Sequence, residues 1–523
     1  MPHPESGVGR PSPETGDADE ADETVQLARS GEPGRGRGHR FLLPLATYAV
    51  CQLIFLFWWG AFYPGLMNRD SIIYMQHVTT GPWVANHSVL YDSMVLLSLR
   101  WTGDLGALTL FQTIAMSAAL AYTVAAFRRL GVPGWATAVA AVIVAALPPT
   151  GSFIIFIWKD VPFAICACLV VPTTAHLISL RGGPRWQRDR RVTGLIAALF
   201  LELLGVCLFR QDGFLVAGVA AVALAALIGR VRIRVTAVAA VAIGLTFLLK
   251  IVVYPAVGIL PADSSLTYGP AWADIAVAYA KSPSSFSTAD KDLLKRVAPL
   301  AEWKDSADCY DADSTDYAKN LTKRALRQTG PLFSLWLQLL RRHPGLIIGA
   351  RLCRGAIAWV AFPSPAAVAG DYLSEIPYSM FAARNEPGVK DMPARYYADI
   401  ATRPLWGFSL AYSLRNGSES NSIAWLLWRG ATWCYIAYLA IGILAVRRRD
   451  WKILALAAVI LANQLVVMAD SPTQVFRYMA APLLIGPMTL ALLFARTRPA
   501  AGPTAATGPE PGGGSQPEAG FRE

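Results

Sequence analysis

The residues of this 523-residue chain best suited to chemistry are four short polar sets lying against long apolar runs. They are Arg69-Asp70, Lys159-Asp160, Arg210-Gln211-Asp212, and Asp470 with Arg477. In each, a carboxylate that can take a proton accompanies a cation that can hold an anion. Ionisable groups are costly at membrane depth, and acids paired with bases there mark a site. Each set also has a structural use. Asp70 can cap a helix or pair with Arg69, Lys159 can pair with Asp160, and Arg210 can pair with Asp212. The cations can equally reach from a span to the interface.

The apolar runs that carry these sets decide the class of the protein. Hydrophobic residues make up 54% of the chain and charged ones 16%, with a mean hydropathy of +0.38. That is too apolar for a soluble domain of this length. A crossing takes about 20 mostly apolar residues. Suitable runs fall at 41–61, 104–127, 134–156, 161–180, 193–209, 213–229, 235–259, 423–446, 452–469 and 479–495. Plain arginine clusters occupy one set of ends: Arg35, Arg37 and Arg40; Arg128 and Arg129; Arg181 through Arg191; Arg230, Arg232 and Arg234; Arg447 to Arg449; Arg496 and Arg498. Lysine and arginine are kept on the cytoplasmic side. Ten spans with both termini in the cytoplasm put every cluster inside and the four polar sets outside. The expected fold is an all-α polytopic bundle of about ten transmembrane helices in the plasma membrane, with a mostly helical outer domain. The net charge of +11 then reflects topology, not nucleic-acid binding.

Residues 1–40, rich in proline, glycine and acids, read as a disordered cytoplasmic arm, and 497–523 as a disordered cytoplasmic tail. Between them lie an N-terminal membrane module (41–259) with a first outer loop (62–103), an extracytoplasmic region (260–422) and the last spans (423–496). Pro344 to Phe362 is apolar but contains Arg351 and Arg354. A crossing there would turn Arg447 to Arg449 outward, so an interfacial or re-entrant helix is expected. Lys291 to Leu300, Tyr317 to Gln328 and Phe333 to Arg342 have the spacing of amphipathic helices. The seven cysteines show no CxxC spacing, which argues against structural zinc. Cys166 and Cys168 fall within a span as packing residues. Cys309 and Cys353 lie outside, where the compartment allows a disulfide.

The first outer loop reads Tyr63-Pro-Gly-Leu-Met-Asn-Arg-Asp70-Ser-Ile-Ile-Tyr-Met-Gln76, then Gly81-Pro-Trp-Val-Ala-Asn-His87-Ser-Val-Leu-Tyr91. It resembles the first periplasmic loop of the GT-C superfamily, membrane glycosyltransferases that use polyprenyl-phosphate sugars. In that superfamily the loop after the first span carries an essential acid. It is more similar still to actinobacterial and firmicute multi-pass membrane proteins with the pattern YPG…D…Q…W…HP. Asp70 falls on the acid of that pattern and His87 on its histidine, with Ser88 in place of the usual proline. A weaker likeness extends over Trp158-Lys159-Asp160, Arg210-Gln211-Asp212-Gly213 and Phe476-Arg477-Tyr478.

The resemblance implies transfer of a sugar from a polyprenyl-phosphate lipid at the outer leaflet to a cell-envelope glycan, lipid or protein. It implies Asp70 as the catalytic base, or as a metal ligand in a version that uses a divalent ion; no other cofactor is expected. Substrate contacts fall to Arg69, His87, Lys159, Asp160, Arg210, Asp212 and Arg477, with the arginines gripping a phosphate as its charge grows. A carboxylate held against apolar surface is expected to bind its proton more tightly than usual.

Two other classes compete with this reading. A transporter or lipid flippase would show repeated halves and broken helices near the midplane, and no internal repeat is visible. A non-catalytic scaffold or sensor would leave Asp70 facing lipid. The acid run Asp305, Asp308, Asp311, Asp313 and Asp316 lacks the glycine and closing glutamate of an EF-hand loop and reads as a solvated surface. Trp83, Trp303, Trp425 and Trp428 read as interface anchors or stacking surfaces. P-loop, GxSxG and HExxH motifs are absent, which argues against a nucleotide-driven pump, a serine hydrolase or a zinc protease.

Overall fold

A computed structural model of the chain describes residues 39–180, 190–316, 318, 321–363, 389–396, 402–420 and 422–496. The N-terminal arm, the C-terminal tail, most of the Arg181 to Arg191 cluster and part of the Tyr317 to Gln328 pattern lie outside the described residues. Within them the regular elements are helices, joined by two isolated single-residue bridges. Eight helices are long and apolar enough to cross a membrane: Phe41–Ala61, Gly106–Arg129, Asp160–Ser179, Arg190–Phe209, Arg232–Ala256, Gly430–Arg448, Trp451–Asp470 and Phe476–Phe494. Gly134–Ala146 and Pro148–Ile154 form a ninth, bent pair, and Gly213–Leu227 is a shorter apolar helix of 15 residues. All ten apolar runs are therefore helical, and the protein is an all-α polytopic membrane protein.

The run at 134–156 is broken where one continuous span was expected, with a bend of 68°. Leu147 takes an extended conformation (φ −63°, ψ 128°) directly before Pro148, because a residue ahead of proline is pushed out of the helical region. Asp160–Ser179 and Phe476–Phe494 are the most enclosed spans, whereas Phe41–Ala61 and Arg232–Ala256 bury the least. Leu53, Ile233 and Val241 on the outer helices are exposed, as lipid-facing residues of a bundle should be.

Three arginine clusters meet at one end of the bundle. Arg447 donates to the Leu493 carbonyl at 2.7 Å and Arg448 to the Arg496 carbonyl at 2.8 Å. The Arg496 amide donates to Gly131, just past Arg128 and Arg129, at 3.2 Å. Cations at these final turns also complement the negative ends of the helices.

The outer region has its own core, in which Trp272, Ile275, Leu294, Trp303, Leu335 and Leu339 pack together. It is built by Ser265–Lys281, Thr288–Val297, Thr329–Arg342 and Pro344–Arg354. Ser287 caps the second of these in a reciprocal pair with Asp290, which satisfies the first-turn amides. Trp303 is wholly buried and donates to the Leu294 carbonyl at 3.1 Å, so it is a core residue. Trp428 is buried too, on Ser418 at 3.0 Å.

Pro344 to Phe362 forms two short helices, Pro344–Arg354 and Ala356–Trp359, neither long enough to cross. Both arginines of the segment close on Asp274, Arg351 at 2.6 Å and Arg354 at 2.8 Å. Asp274 and Arg354 are fully buried, and a buried charge persists only when paired in this way. Cys309 and Cys353 form a disulfide, while the other five cysteines are free.

Candidate functional site

The site begins with a turn that only glycine permits. Gly65 has φ +155°, and a Cβ there would meet Thr109 at 2.7 Å and the Ile155 carbonyl at 2.8 Å. The close approach lets Leu66 pair with the segment before Lys159: its amide donates to Ile155 at 3.1 Å, and the Ile157 amide donates back at 2.9 Å. Two residues on, Asn68 caps the helix Arg69–Thr79 together with Ser71. The Ser71 hydroxyl donates to the Ile157 carbonyl at 2.8 Å, and Trp158 Nε1 donates to Asn68 Oδ1 at 2.8 Å. Asp70 is thus held beside Trp158-Lys159-Asp160, although some 90 residues separate them.

Around this core the polar sets of four segments converge. Arg477, entering the last span, places Nη1 2.5 Å from Asp70 Oδ2 and Nε 4.0 Å from Asp160 Oδ2. Arg210 lies 3.7 Å from the other Asp160 oxygen and grips Asp212 through Nε at 2.9 Å and Nη2 at 2.6 Å. The result is a row of alternating charge: Asp70, Arg477, Asp160, Arg210, Asp212. Aromatic faces line it. Arg477 lies 5.0 Å from the Trp158 ring centre and Arg210 4.7 Å from that of Phe163, arrangements that favour a planar guanidinium over an ammonium. Gly213 matters here as well, because a Cβ would collide with the Val206 carbonyl, so the Arg210 turn folds back tightly on its helix.

His87 completes the site from the second half of the outer loop. Its Nδ1 is 3.0 Å from Lys159 Nζ. The loop is held by Gln211, which donates to the Asn86 carbonyl at 2.5 Å, and by Ser88, which donates to Leu208 at 2.8 Å. Burial and then Lys159 push the His87 ring down to about 3, so it is neutral at physiological pH. Neutral His87 accepts from the ammonium through Nδ1, which leaves its proton on Nε2. Ser88, in the place of the usual proline, caps the helix Val89–Thr102.

Proton affinities differ from the expectation. Burial alone would raise the Asp70 carboxyl, but Arg477, followed by His87 and Lys159, outweighs it and holds the group well below the usual carboxylate range. The reason is the ion pair: protonation would strip Arg477 of its partner. Lys159 is lowered by burial, against the pull of Asp160 and Asp70. Arg210 has its fork filled by Asp212 and also reaches the Tyr478 carbonyl at 3.4 Å, so it holds the last span rather than presenting a fork to a ligand. Arg69 is exposed at the start of its helix. Asp470, at the end of its own span, lies within electrostatic reach of Asp212 and Arg210 but makes no ion pair with either.

Several residues that belong to the site were missed in the sequence. Asp70, Tyr74 and His77 are spaced at i, i+4 and i+7, one face of a helix, and that spacing was an available signal. Tyr74 is fully buried, and its hydroxyl has no hydrogen-bond partner among the described residues. His77 Nδ1 lies 2.9 Å from Asp92 Oδ2, both buried. Burial raises the Asp92 carboxyl, opposed by His77. Asp313, assigned from sequence to a solvated surface, lies within electrostatic reach of Asp70, Arg477 and Arg69.

Among the described residues, no group of three or more His, Cys, Asp or Glu side chains is placed to hold a metal ion. Asp70 is ion-paired with Arg477 and lies near Lys159, and these cations disfavour a further one there. Asp70 is therefore placed as an ion-pair partner and not as a metal ligand.

The profile of a family of unknown function, DUF6020, matches residues 83–507. No curated protein and no solved structure matches the chain. His87, Lys159, Asp160, Arg210, Asp212, Asp313 and Arg477 fall inside the matched stretch, while Asp70 precedes it.

Proposed function

The chain belongs to this family, which lends it no activity, and from the site we propose that it is a membrane glycosyltransferase of the GT-C type. It takes a sugar from a polyprenyl-phosphate donor at the outer face of the plasma membrane and passes it to a cell-envelope acceptor. The observation that carries this reading is the convergence of Asp70, Lys159, Asp160, Arg210 and Arg477 at the ends of four helices. A lipid phosphate sits at that depth, where helix ends meet headgroups. Its charge grows as the bond to the sugar breaks, and cations fixed nearby stabilise that change.

Arg477 is the phosphate contact that the geometry favours. It stands between the two acids, with Nη1 2.5 Å from Asp70 and Nε 4.0 Å from Asp160. An incoming phosphate competes with Asp70 for the guanidinium, and Trp158 beneath the plane keeps it in position while partners change. Lys159 supplies a second cation, released from a neutral histidine at little electrostatic cost. Asp70, its carboxyl held below the usual range and so ionised at neutral pH, aims Arg477 and faces the positive charge that builds on the sugar.

The outward orientation has two supports. The arginine clusters gather at the opposite end, as cytoplasmic retention of basic residues requires. The disulfide at Cys309 and Cys353 suits an oxidising compartment. One observation favours a transporter, namely the broken third span. Its break lies near the end that carries the site, however, not at the midplane where transporters unwind their helices.

The test follows labelled sugar from polyprenyl-phosphate glucose, mannose and arabinose to a cell-envelope fraction, with the protein in nanodiscs. Arg477→Ala is expected to raise the donor KM by about 10²-fold, with partial recovery in Arg477→Lys, which keeps the charge but not the fork. Arg210→Ala should instead lower thermal stability. Equal donor KM in the wild type and Arg477→Ala would remove the phosphate role.

A further inference from the structure

Asp313 is attached to the site with more care than a surface acid needs. The Ala312 amide donates to the Pro472 carbonyl at 2.8 Å, in the loop that leads to Arg477. The Asp311 carboxylate accepts the Asp313 amide at 3.0 Å, and the Thr315 hydroxyl donates to Ser306 at 3.0 Å. The disulfide ties Cys309 to Cys353, whose neighbour Arg354 is locked on the buried Asp274. The Ala312 bond thus ties the segment that carries Asp313 to the loop before Arg477, while the bonds within the segment and the disulfide hold its shape. That places the Asp313 carboxylate within electrostatic reach of Arg69 and Asp70 from the first outer loop and of Arg477 from the start of the last span.

We propose that Asp313 is the general base of the transfer and that Asp70 is a positioning residue for Arg477. The proposal rests on the glycosyltransferase reading and deepens it. The acceptor oxygen forms a bond to the anomeric carbon as the bond from that carbon to the phosphate oxygen breaks. The acceptor's proton passes to the Asp313 carboxylate, and the electron pair leaves with the lipid phosphate, which Arg477 and Lys159 hold. Charge balances, since the phosphate gains one negative charge and Asp313 loses one.

Two physical arguments separate the carboxylates. Asp70 has an oxygen 2.5 Å from a guanidinium, so taking a proton costs it an ion pair. Asp313 has no such pair at ion-pair distance among the described residues. Burial, then Asp311 and Asp70, push its carboxyl up to about 6, against Arg477 and Arg69. Two carboxylates driven apart by their surroundings divide acid–base work between them, and the one that titrates near the working pH is the better base. Direction of approach agrees: the lipid donor comes from the membrane side, and the acceptor from the side on which the outer domain lies.

The test uses the full chain in nanodiscs, with the polyprenyl-phosphate sugars and envelope fraction named above as probes. Wild-type kcat/KM should rise about tenfold per pH unit up to about 6 and then level as Asp313 ionises. Asp313→Asn should lose that inflection and about 10²–10⁴-fold in rate. Asp313→Ala should regain part of its rate in sodium formate, a small carboxylate that can occupy the vacated place; a merely structural role would not respond. An Asp313→Asn protein that keeps the inflection, or stays within twofold of the wild-type rate, overturns the assignment while leaving the glycosyltransferase reading intact. Failure of formate to restore any rate overturns it as well. If the wild type transfers none of the probe sugars, the reading falls and the assignment falls with it.

Discussion

At the scale of a residue, Asp70 and Asp313 have the same side chain and opposite proton affinities, and their neighbours make the difference. The neighbour that matters for Asp70 lies 407 positions away in sequence, so no local pattern could announce the pair. What the sequence did mark was the polarity of each set beside an apolar run, and this was enough to select Asp70, Lys159, Arg210 and Arg477. Asp313 was hidden because five aspartates in twelve residues look like hydrated surface until the attachment to Pro472 is seen. Its raised carboxyl has a consequence for stability. The native state binds this proton more tightly than the unfolded chain does, so the group favours folding below pH 4 and loses that contribution as pH rises through about 6. Asp313→Asn should therefore gain stability relative to the wild type between pH 4 and pH 7. About 1–2 kcal/mol is expected, after allowing for screening at a partly exposed site. Melting temperatures of the two proteins across that interval check it; a gap that does not change with pH would mean that Asp313 is not raised.

At the scale of an element, the apolar runs were legible because a membrane helix needs length and little else. Breaks within them were harder to see. Pro148 and Pro149 stand in the middle of an apolar stretch, and the bend follows from the residue before the first of them. The arginines of the Pro344 segment were read as barring a crossing, and the structure adds that both close on one partner, Asp274. The disulfide closes a loop of 44 residues, a constraint worth about 4 kcal/mol in the chain-entropy account. Cys309→Ser should lower the melting temperature by several degrees and should also lower transfer, because the segment that carries Asp313 loses one of its attachments. Reductant should reproduce the wild-type loss and leave the variant unchanged. A variant as stable and as active as the wild type would show that the other attachments suffice.

At the scale of the whole molecule, the charge distribution makes a single demand: all plain arginine clusters on one side and the mixed acid–base sets on the other. In the fold the Arg128, Arg447 and Arg496 neighbourhoods touch, while Asp70, Lys159, Arg210 and Arg477 gather elsewhere. A bundle with one extra or one missing crossing could not keep both groups together. Both termini should therefore be cytoplasmic and residues 260–422 external. Labelling with a membrane-impermeant maleimide tests this in a background where Cys51, Cys166, Cys168, Cys207 and Cys434 are replaced. Those five are free, so the Cys309–Cys353 disulfide can stay and keep the outer domain folded. Single cysteines at the exposed Ser284 and Asn416 serve as outer probes; the nearby Ser418 is buried and would resist the reagent on either side. Ser515, outside the described residues, probes the tail. Intact cells should label the first two and protect the third, with labelling of all three after permeabilisation. Protection at 416 with labelling at 284 would mean that the chain crosses between them, most simply through the Pro344 segment. That crossing would carry Arg447 to Arg449 outward and separate Arg477 from the face on which Asp70 lies.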